Sequence, residues 1–548
     1  MKKIKIFISI VIAAVLLVST VAFIDSKPKG DFEIAKNLEL YHSAIKNLRM
    51  YYVDDVEYAK LIKESLVELL KKLDPYTVYY SEAQMENYAF ISTGAYAGIG
   101  ITVVERFGKL YITDVKQNSP AKKHGIQIGD IITEIEGVEL NRQSIEDLRK
   151  KLNGAVGSDT NIKLIRPYEG NKEIEILLKK EKIKQPAVEY NTMLSDGIVY
   201  IKLRSFTQHS AKSFTDSLAN YKSSVKGVVI DLRGNPGGFL QEAVNILDYF
   251  TQKGELLVKT KGRIEKWSAV FRSKHEPQMP DIPVAVIVNS SSASASEIIA
   301  GTFQDLDRAV IIGERTFGKG LVQTTKGLGY NTKIKLTAAK YYLPGGRCVQ
   351  VRDYSHLRND GSVSKIPDSL KKMFKTKNGR VVYDGGGVKP DIEMINAEDN
   401  SILSVLIQRF IIYDYVMKYR ETHKTISTPK EFKFKSYDEF KLFVQQAGLA
   451  DYLKPVQELK KIKTQQQELY PELSEDIEQA VVEFKNSIPN LLDIHAAAIT
   501  FQIEKEILSG YYGPEAENTW IVKKDPTVKK AVQILSNGKQ YNQILNIQ

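Results

Sequence analysis

The stretch NSSSASASEI (289–298) holds five serines in the seven residues from Ser290 to Ser296. A serine hydroxyl becomes a nucleophile when a base takes its proton and donors hold the charge it creates. Composition alone would make this stretch a linker, but its neighbours argue otherwise. VAVIVN (284–289) is apolar and largely β-branched, the pattern of a buried parallel strand. Ser294-Ala295-Ser296-Glu297 fits a capping box, with serine at N-cap and glutamate at N3, ahead of the helical EIIAGTFQDL. The serines therefore occupy a strand-to-helix turn. One serine caps a helix, and five exceed that need. The free N–H groups and positive potential of a helix N-terminus also suit a developing oxyanion.

A base is offered by the next apolar strand, AVIIGE (309–314), and the loop RTFGKGLVQ (315–323) behind it. Lys319 stands there between Gly318 and Gly320, which let the backbone pass close to other groups. A lysine acts as a base only when neutral, and burial favours the neutral form. Gln323, four residues on, could hold the amine by a hydrogen bond. A third loop lies in KGVVIDLRGNPGGFLQEAVNIL (226–247), which reads as strand, Gly-rich turn and amphipathic helix. Its paired glycines can turn backbone N–H groups toward a ligand, so Gly237 or Gly238 could supply an oxyanion donor. A phosphate cradle is the competing use of such a turn, but no GxxxxGK[ST] is present.

The elements that must position these residues occupy a 548-residue chain, long enough for three or four domains. Lys2, Lys3 and Lys5 precede an apolar run from Ile6 to Ile24, the pattern of a signal peptide or a membrane anchor that sends the rest out of the cytoplasm. Helical periodicity runs from Phe32 to about Lys72 and stops at Leu73-Asp74-Pro75-Tyr76. Short strands follow to about Lys182, strands alternate with helices to about Pro390, and long amphipathic helices fill the remainder. The boundaries expected are 1–25 for the signal or anchor, 26–90 for a helical region, 91–182 for a β-rich domain, 183–396 for the catalytic domain and 397–548 for C-terminal helices.

The net charge of +11 is spread along the chain, with no Lys/Arg stripe interleaved with aromatics, so nucleic acid is not an expected partner. Cys348 is the only cysteine, which excludes an intramolecular disulfide and a cysteine-based zinc site. The seven histidines lack metal-ligand spacing, and no metal or cofactor is expected.

Two resemblances sharpen this picture. GIGITVV (98–104) followed by SPAKKHGIQIGDIITEIEG (119–137) resembles the PDZ family, which implies that Gly98, Ile99, Gly100 and Ile101 receive a peptide's C-terminal tail along an adjoining strand edge. The serine turn and FGKGLVQ, with DLRGNPGG upstream and LTAAKYYLPGGRCVQ and GGGVKPDI downstream, resemble the carboxyl-terminal processing peptidases of serine peptidase family S41. That resemblance covers roughly residues 74–391. It implies a multidomain α/β protein, with a crotonase/ClpP-like catalytic core, an inserted PDZ domain and flanking helices. It implies Ser294 as nucleophile, Lys319 as general base with Gln323 assisting, and backbone donors at Ala295 and at a glycine of the GNPGG loop, Gly237 ahead of Gly238. The expected partners are extracytoplasmic proteins, periplasmic or exported, with accessible apolar tails. An adaptor, a second copy and membrane attachment through residues 6–24 also stay open. Three rivals stand beside this: a Ser-His-Asp triad using His209, a PDZ scaffold with a vestigial core, and an amidase or esterase for small molecules.

Overall fold

A computed structural model describes residues 31–140, 148, 151–221, 224–357, 363–394, 401–466 and 471–547. The apolar run 6–24 and most of the helix expected at 144–152 lie outside the described residues. No helix among the described residues is long and apolar enough to cross a membrane. Two units divide at Tyr79/Tyr80.

Described by itself, the first unit is a pair of helices, α1 (Asp31–Tyr51) and α2 (Tyr58–Lys71). The Tyr41 hydroxyl meets Ser65 Oγ at 2.6 Å, and Tyr58 donates its hydroxyl to Leu48 O. Both are side-chain links between the two helices.

In the second unit a β-rich domain comes first: β1 (Ile101–Arg106), β2 (Lys109–Val115), β3 (Ile131–Ile135), β4 (Asp159–Arg166) and β5 (Lys172–Lys179), antiparallel and in that spatial order. Alternate residues face its core, as in Asp159–Arg166, where Thr160, Ile162, Leu164 and Arg166 are buried and the residues between them are not. Among the described residues β1 is an edge strand, paired only with β2.

The next layer is a six-stranded sheet in sequential order: β6 (Val188–Met193), β7 (Ile198–Leu203), β8 (Gly227–Asp231), β9 (Val284–Val288), β10 (Val310–Gly313) and β11 (Ile392–Glu393). β6 runs antiparallel to β7, and the remaining neighbours are parallel. Parallel strands need cover on both faces, which explains their nearly continuous apolar sequence. Val199, Ile201, Val228, Ile230, Val286 and Ile311 face α3 (Ser210–Ala219), α4 (Leu240–Asp248) and α5 (Ala295–Asp305). All residues of α5 are buried, because an antiparallel sheet built from Leu256–Gly262, Ala269–Arg272, Leu321–Gly329 and Thr332–Tyr342 contributes Leu257, Val258 and Tyr341 to the same core.

The C-terminal helices make two attachments. α6 (Ile411–Thr422) docks on the β-rich domain: Arg106 makes a bidentate pair with Asp414 at 2.6 and 2.7 Å, and Arg420 donates to Ile128 O while stacking 4.0 Å from the Tyr168 ring centroid. α7 (Pro526–Leu535) and α8 (Gly538–Ile544) cover the second face of the parallel sheet, packing Val528, Ala531, Ile534 and Tyr541 on Tyr200, Val229, Ala285, Ile287 and Ile312. Periodicity indicated helices here but left their role open between capping the core, joining two copies and recruiting an adaptor. These residues cap the core. Ile534 is fully buried, so Ile534→Ala is expected to destabilise the protein by about 2–5 kcal/mol. Urea denaturation followed by circular dichroism measures this, and an unchanged midpoint would mean that α7 is not a structural cover.

Candidate active site

Beyond β9 the chain enters the serine turn, and the serines divide into three kinds. Ser290 and Ser291 are exposed. Ser292 and Ser296 are buried and tie the turn to its neighbour: Ser292 Oγ donates to Leu232 O at 2.8 Å, and Ser296 Oγ donates to Asn235 O at 2.9 Å. Ser294 lies between them, half-buried at the N-cap of α5, with φ 56° and ψ −111°. A non-glycine residue in that conformation is strained and persists only where its surroundings hold it.

Glu297 does the holding. Its carboxylate is fully buried and accepts four hydrogen bonds. Oε1 takes the Thr316 hydroxyl at 2.6 Å and the Gly318 N–H at 2.7 Å; Oε2 takes the Ser294 N–H at 2.9 Å and the Lys319 N–H at 2.8 Å. One oxygen thus receives the backbone N–H groups of both Ser294 and Lys319. Their two nitrogens can be no farther apart than the sum of those two bonds. Burial pushes the Glu297 carboxyl above the ordinary glutamate range, and the four donors oppose that by favouring the ionised form. The Tyr341 hydroxyl also donates to Ser294 O at 3.3 Å, and its own ionisation is pushed well up by burial.

The Gly-rich loop after β8 lies against this turn. Asn235 is its hub, fully buried: Nδ2 donates to Leu203 O, Oδ1 accepts the Gly237 N–H at 2.9 Å, and its carbonyl accepts from Ala293 N–H and Ser296 Oγ. Gly237 has φ +98°, and a Cβ there would lie 2.6 Å from Ala293 O and 2.8 Å from Ser294 Cβ. Only glycine permits that approach. The Gly237 N–H is committed to Asn235, whereas the N–H groups of Gly238 and Ala295 have no acceptor among the described residues.

At the root of the loop, Asp231 accepts from the Tyr200 hydroxyl at 2.7 Å and from the Arg233 N–H and guanidinium. Burial alone would raise the Asp231 carboxyl, but Arg233 holds it below its ordinary range.

Gln323 lies four residues beyond Lys319 on the strand Leu321–Gly329, with its amide 3.4 Å from Thr337 Oγ1. His209 is exposed at the start of α3; its backbone N–H donates to Glu242, and its ring has no hydrogen bond among the described residues. In the β-rich domain, Gly98 closes the strand Ala95–Gly98 and Ile99 is buried. Gly100 has φ +83° and its carbonyl accepts from Lys116, and Ile101 opens edge strand β1. Among the described residues no group of His, Cys, Asp or Glu is arranged to hold a metal ion. The sequence presented Glu297 only as a capping residue and gave Asn235, Thr316 and Tyr341 no role.

The model of peptidase family S41 matches residues 197–356, that of the PDZ domain residues 97–179, and that of the C-terminal helical domain of probable PDZ-proteases residues 402–535. The carboxy-terminal-processing protease of Bartonella bacilliformis is 32% identical over 320 residues, which span 58% of this chain and 73% of that protein. A probable CtpA-like serine protease of Staphylococcus aureus is 29% identical over 392 residues, or 70% of this chain and 77% of the relative. Among solved structures, the photosystem II D1 C-terminal processing protease is 22% identical, covering 65% of this chain and 92% of its own, with a TM-score of 0.36. That superposition adds nothing to the sequence relationship.

The crowding at Gly237 yields a prediction. Gly237→Ala forces a methyl group onto Ser294 and strains φ, and is expected to lower the cleavage rate about a hundredfold or more. Circular dichroism should still report a folded chain. Wild-type turnover in that variant would show that the loop does not need this approach.

Proposed function

The chain belongs to peptidase family S41, among the carboxy-terminal-processing serine peptidases that carry a PDZ domain, and on that premise we propose a Ser/Lys mechanism directed at extracytoplasmic proteins through their C-terminal tails. The catalytic domain is read as a crotonase/ClpP-like core. Ser294 Oγ attacks the scissile carbonyl carbon while neutral Lys319 takes its proton. The carbonyl oxygen becomes an oxyanion held by the N–H groups of Ala295 and the Gly-rich loop. Gly238 is the preferred loop donor here, in place of the Gly237 favoured from the sequence, because the Gly237 N–H is already spent on Asn235. Lys319 then returns the proton to the leaving amine, the C–N bond breaks, and Ser294 is left acylated. Water, deprotonated by Lys319, attacks the ester carbonyl; the Ser294 Oγ–acyl bond breaks, Lys319 returns the proton to Oγ, and the acid is released. Gln323 steadies the lysine amine.

The observation that carries this reading is the shared Glu297 oxygen, which joins the backbone N–H groups of Ser294 and Lys319 at 2.9 and 2.8 Å. No comparable bond joins His209 to the serine turn among the described residues, which disfavours the triad. A scaffold has no use for a strained serine at the N-cap of a wholly buried helix.

Tail reading rests on the edge position of β1 beside Gly98, Ile99, Gly100 and Ile101. An extended peptide would add as a strand to β1, with its terminal carboxylate at the glycine turn. Extracytoplasmic action rests on the pattern of Lys2, Lys3 and Lys5 before the apolar run 6–24, which would serve as leader or anchor.

Cleavage of a loosely folded protein ending in an apolar tail tests the proposal. Wild type should cut it, Ser294→Ala and Lys319→Ala should both fall by at least about a thousandfold, and a tail ending in Asp-Asp should be cut more slowly. Cleavage persisting in Ser294→Ala would remove the nucleophile, and indifference to the tail would remove the PDZ selection.

A further inference from the structure

Arg233 immediately precedes Gly234-Asn235-Pro236-Gly237-Gly238, and its guanidinium is shared between two carboxylates. One is Asp231, at the end of β8. The other is Asp525, from the C-terminal helices, whose Oδ2 lies 2.7 Å from Arg233 Nη1. Both carboxylates are buried, with side-chain exposures of 1% for Asp231 and 8% for Asp525. We infer that Asp525 is a positioning residue for the peptidase reaction, fixing the Gly-rich loop against Ser294 through Arg233. This rests on the proposed role of that loop in holding the oxyanion.

Stability alone does not explain the second carboxylate. Asp525 caps α7, but it does so with the other oxygen: Oδ1 accepts the Thr527 and Val528 N–H groups at 2.7 and 3.1 Å. A neutral asparagine or serine would cap equally well. Neutralising Arg233 does not need Asp525 either, because the Arg233 Nε already lies 3.0 Å from both Asp231 oxygens. What Asp525 adds is direction. It draws the guanidinium to the face covered by α7, so Arg233 is held from both sides where β8 ends. The backbone that follows is then pinned at successive points, by Gly234 N–H on Asn289 Oδ1 and by the contacts of Asn235. Gly237 approaches Ser294 so closely that a small shift at Arg233 moves the oxyanion donors off target. The C-terminal helices therefore complete the active site as well as covering the sheet.

Asp525→Asn separates the two roles. It keeps an Oδ1 acceptor for the cap and leaves Arg233 paired with Asp231, so no buried charge is stranded. The full-length variant is expected to lose kcat about tenfold or more while KM stays within about twofold of wild type and the melting temperature holds. Labelling of Ser294 by a fluorophosphonate should slow in parallel. Ser536→Ala is the control: it removes another tie between these helices and the catalytic domain, Ser536 Oγ to Asp196 Oδ2 at 2.9 Å, and should leave kcat unchanged. Three outcomes overturn the inference: Asp525→Asn at full kcat, a loss explained wholly by the fraction unfolded, or an equal loss in Ser536→Ala. Should Asp525→Asn fail to fold, Asp525→Ser, which also keeps a capping oxygen, is judged by the same kcat criterion. Wild-type cleavage that survives Ser294→Ala is a different failure, because it removes the nucleophile on which the inference rests.

Discussion

A single buried carboxylate, with no basic partner among the described residues, organises the serine turn and the lysine loop. Glu297 accepts four hydrogen bonds from two loops that leave neighbouring parallel strands. An ionised carboxylate buried in apolar surroundings is unfavourable by several kcal/mol unless its acceptor sites are filled. The loops must therefore stay closed upon it, because opening either one strands the charge. That constraint sets the geometry on both sides. It holds Ser294 in a backbone conformation that an L-residue would otherwise leave, and it requires Gly318, at φ +87°, to bring its N–H inward beside Val351. Thr316 serves both sides, donating its hydroxyl to Glu297 while accepting the N–H of Val388 at 2.7 Å.

The same logic of covering what cannot be exposed explains the C-terminal helices. A parallel sheet is apolar on both faces, and α3, α4 and α5 cover only one. α7 and α8 cover the other, and α6 of the same region grips the PDZ domain through Arg420 and the Arg106–Asp414 pair. One helical region thus touches both the module that would receive a tail and, through Asp525 and Arg233, the root of the loop beside Ser294.

How much of this could be read in the sequence depended on the range of the interaction. VAVIVN and AVIIGE announced buried strands because burial on both faces leaves no polar positions. The position of Ser294 followed from a pattern only four residues long, and so did one of the four Glu297 bonds. The other three come from Thr316, Gly318 and Lys319, about twenty residues away, and no local pattern encodes them. The surplus serines had the same difficulty: Ser292 and Ser296 bond to Leu232 and Asn235, some sixty residues earlier in the chain. The sequence favoured Gly237 over Gly238 as loop donor, because no local pattern shows that the Asn235 side chain takes the Gly237 N–H. Amphipathic periodicity indicated that each C-terminal helix has a partner surface, without saying which.

The most direct test of this account is the rate at which a fluorophosphonate phosphonylates Ser294 in Glu297→Gln, Oγ displacing fluoride from phosphorus, measured beside wild type at equal folded concentration. The amide nearly preserves shape but replaces one acceptor oxygen with a donor, set against N–H groups or a hydroxyl that also donate. If Glu297 holds the serine turn to the lysine loop, phosphonylation should slow about a hundredfold, equivalent to ~2.7 kcal/mol, with circular dichroism unchanged. A variant labelled at the wild-type rate would show that the two loops keep their register without the carboxylate, and would contradict the account.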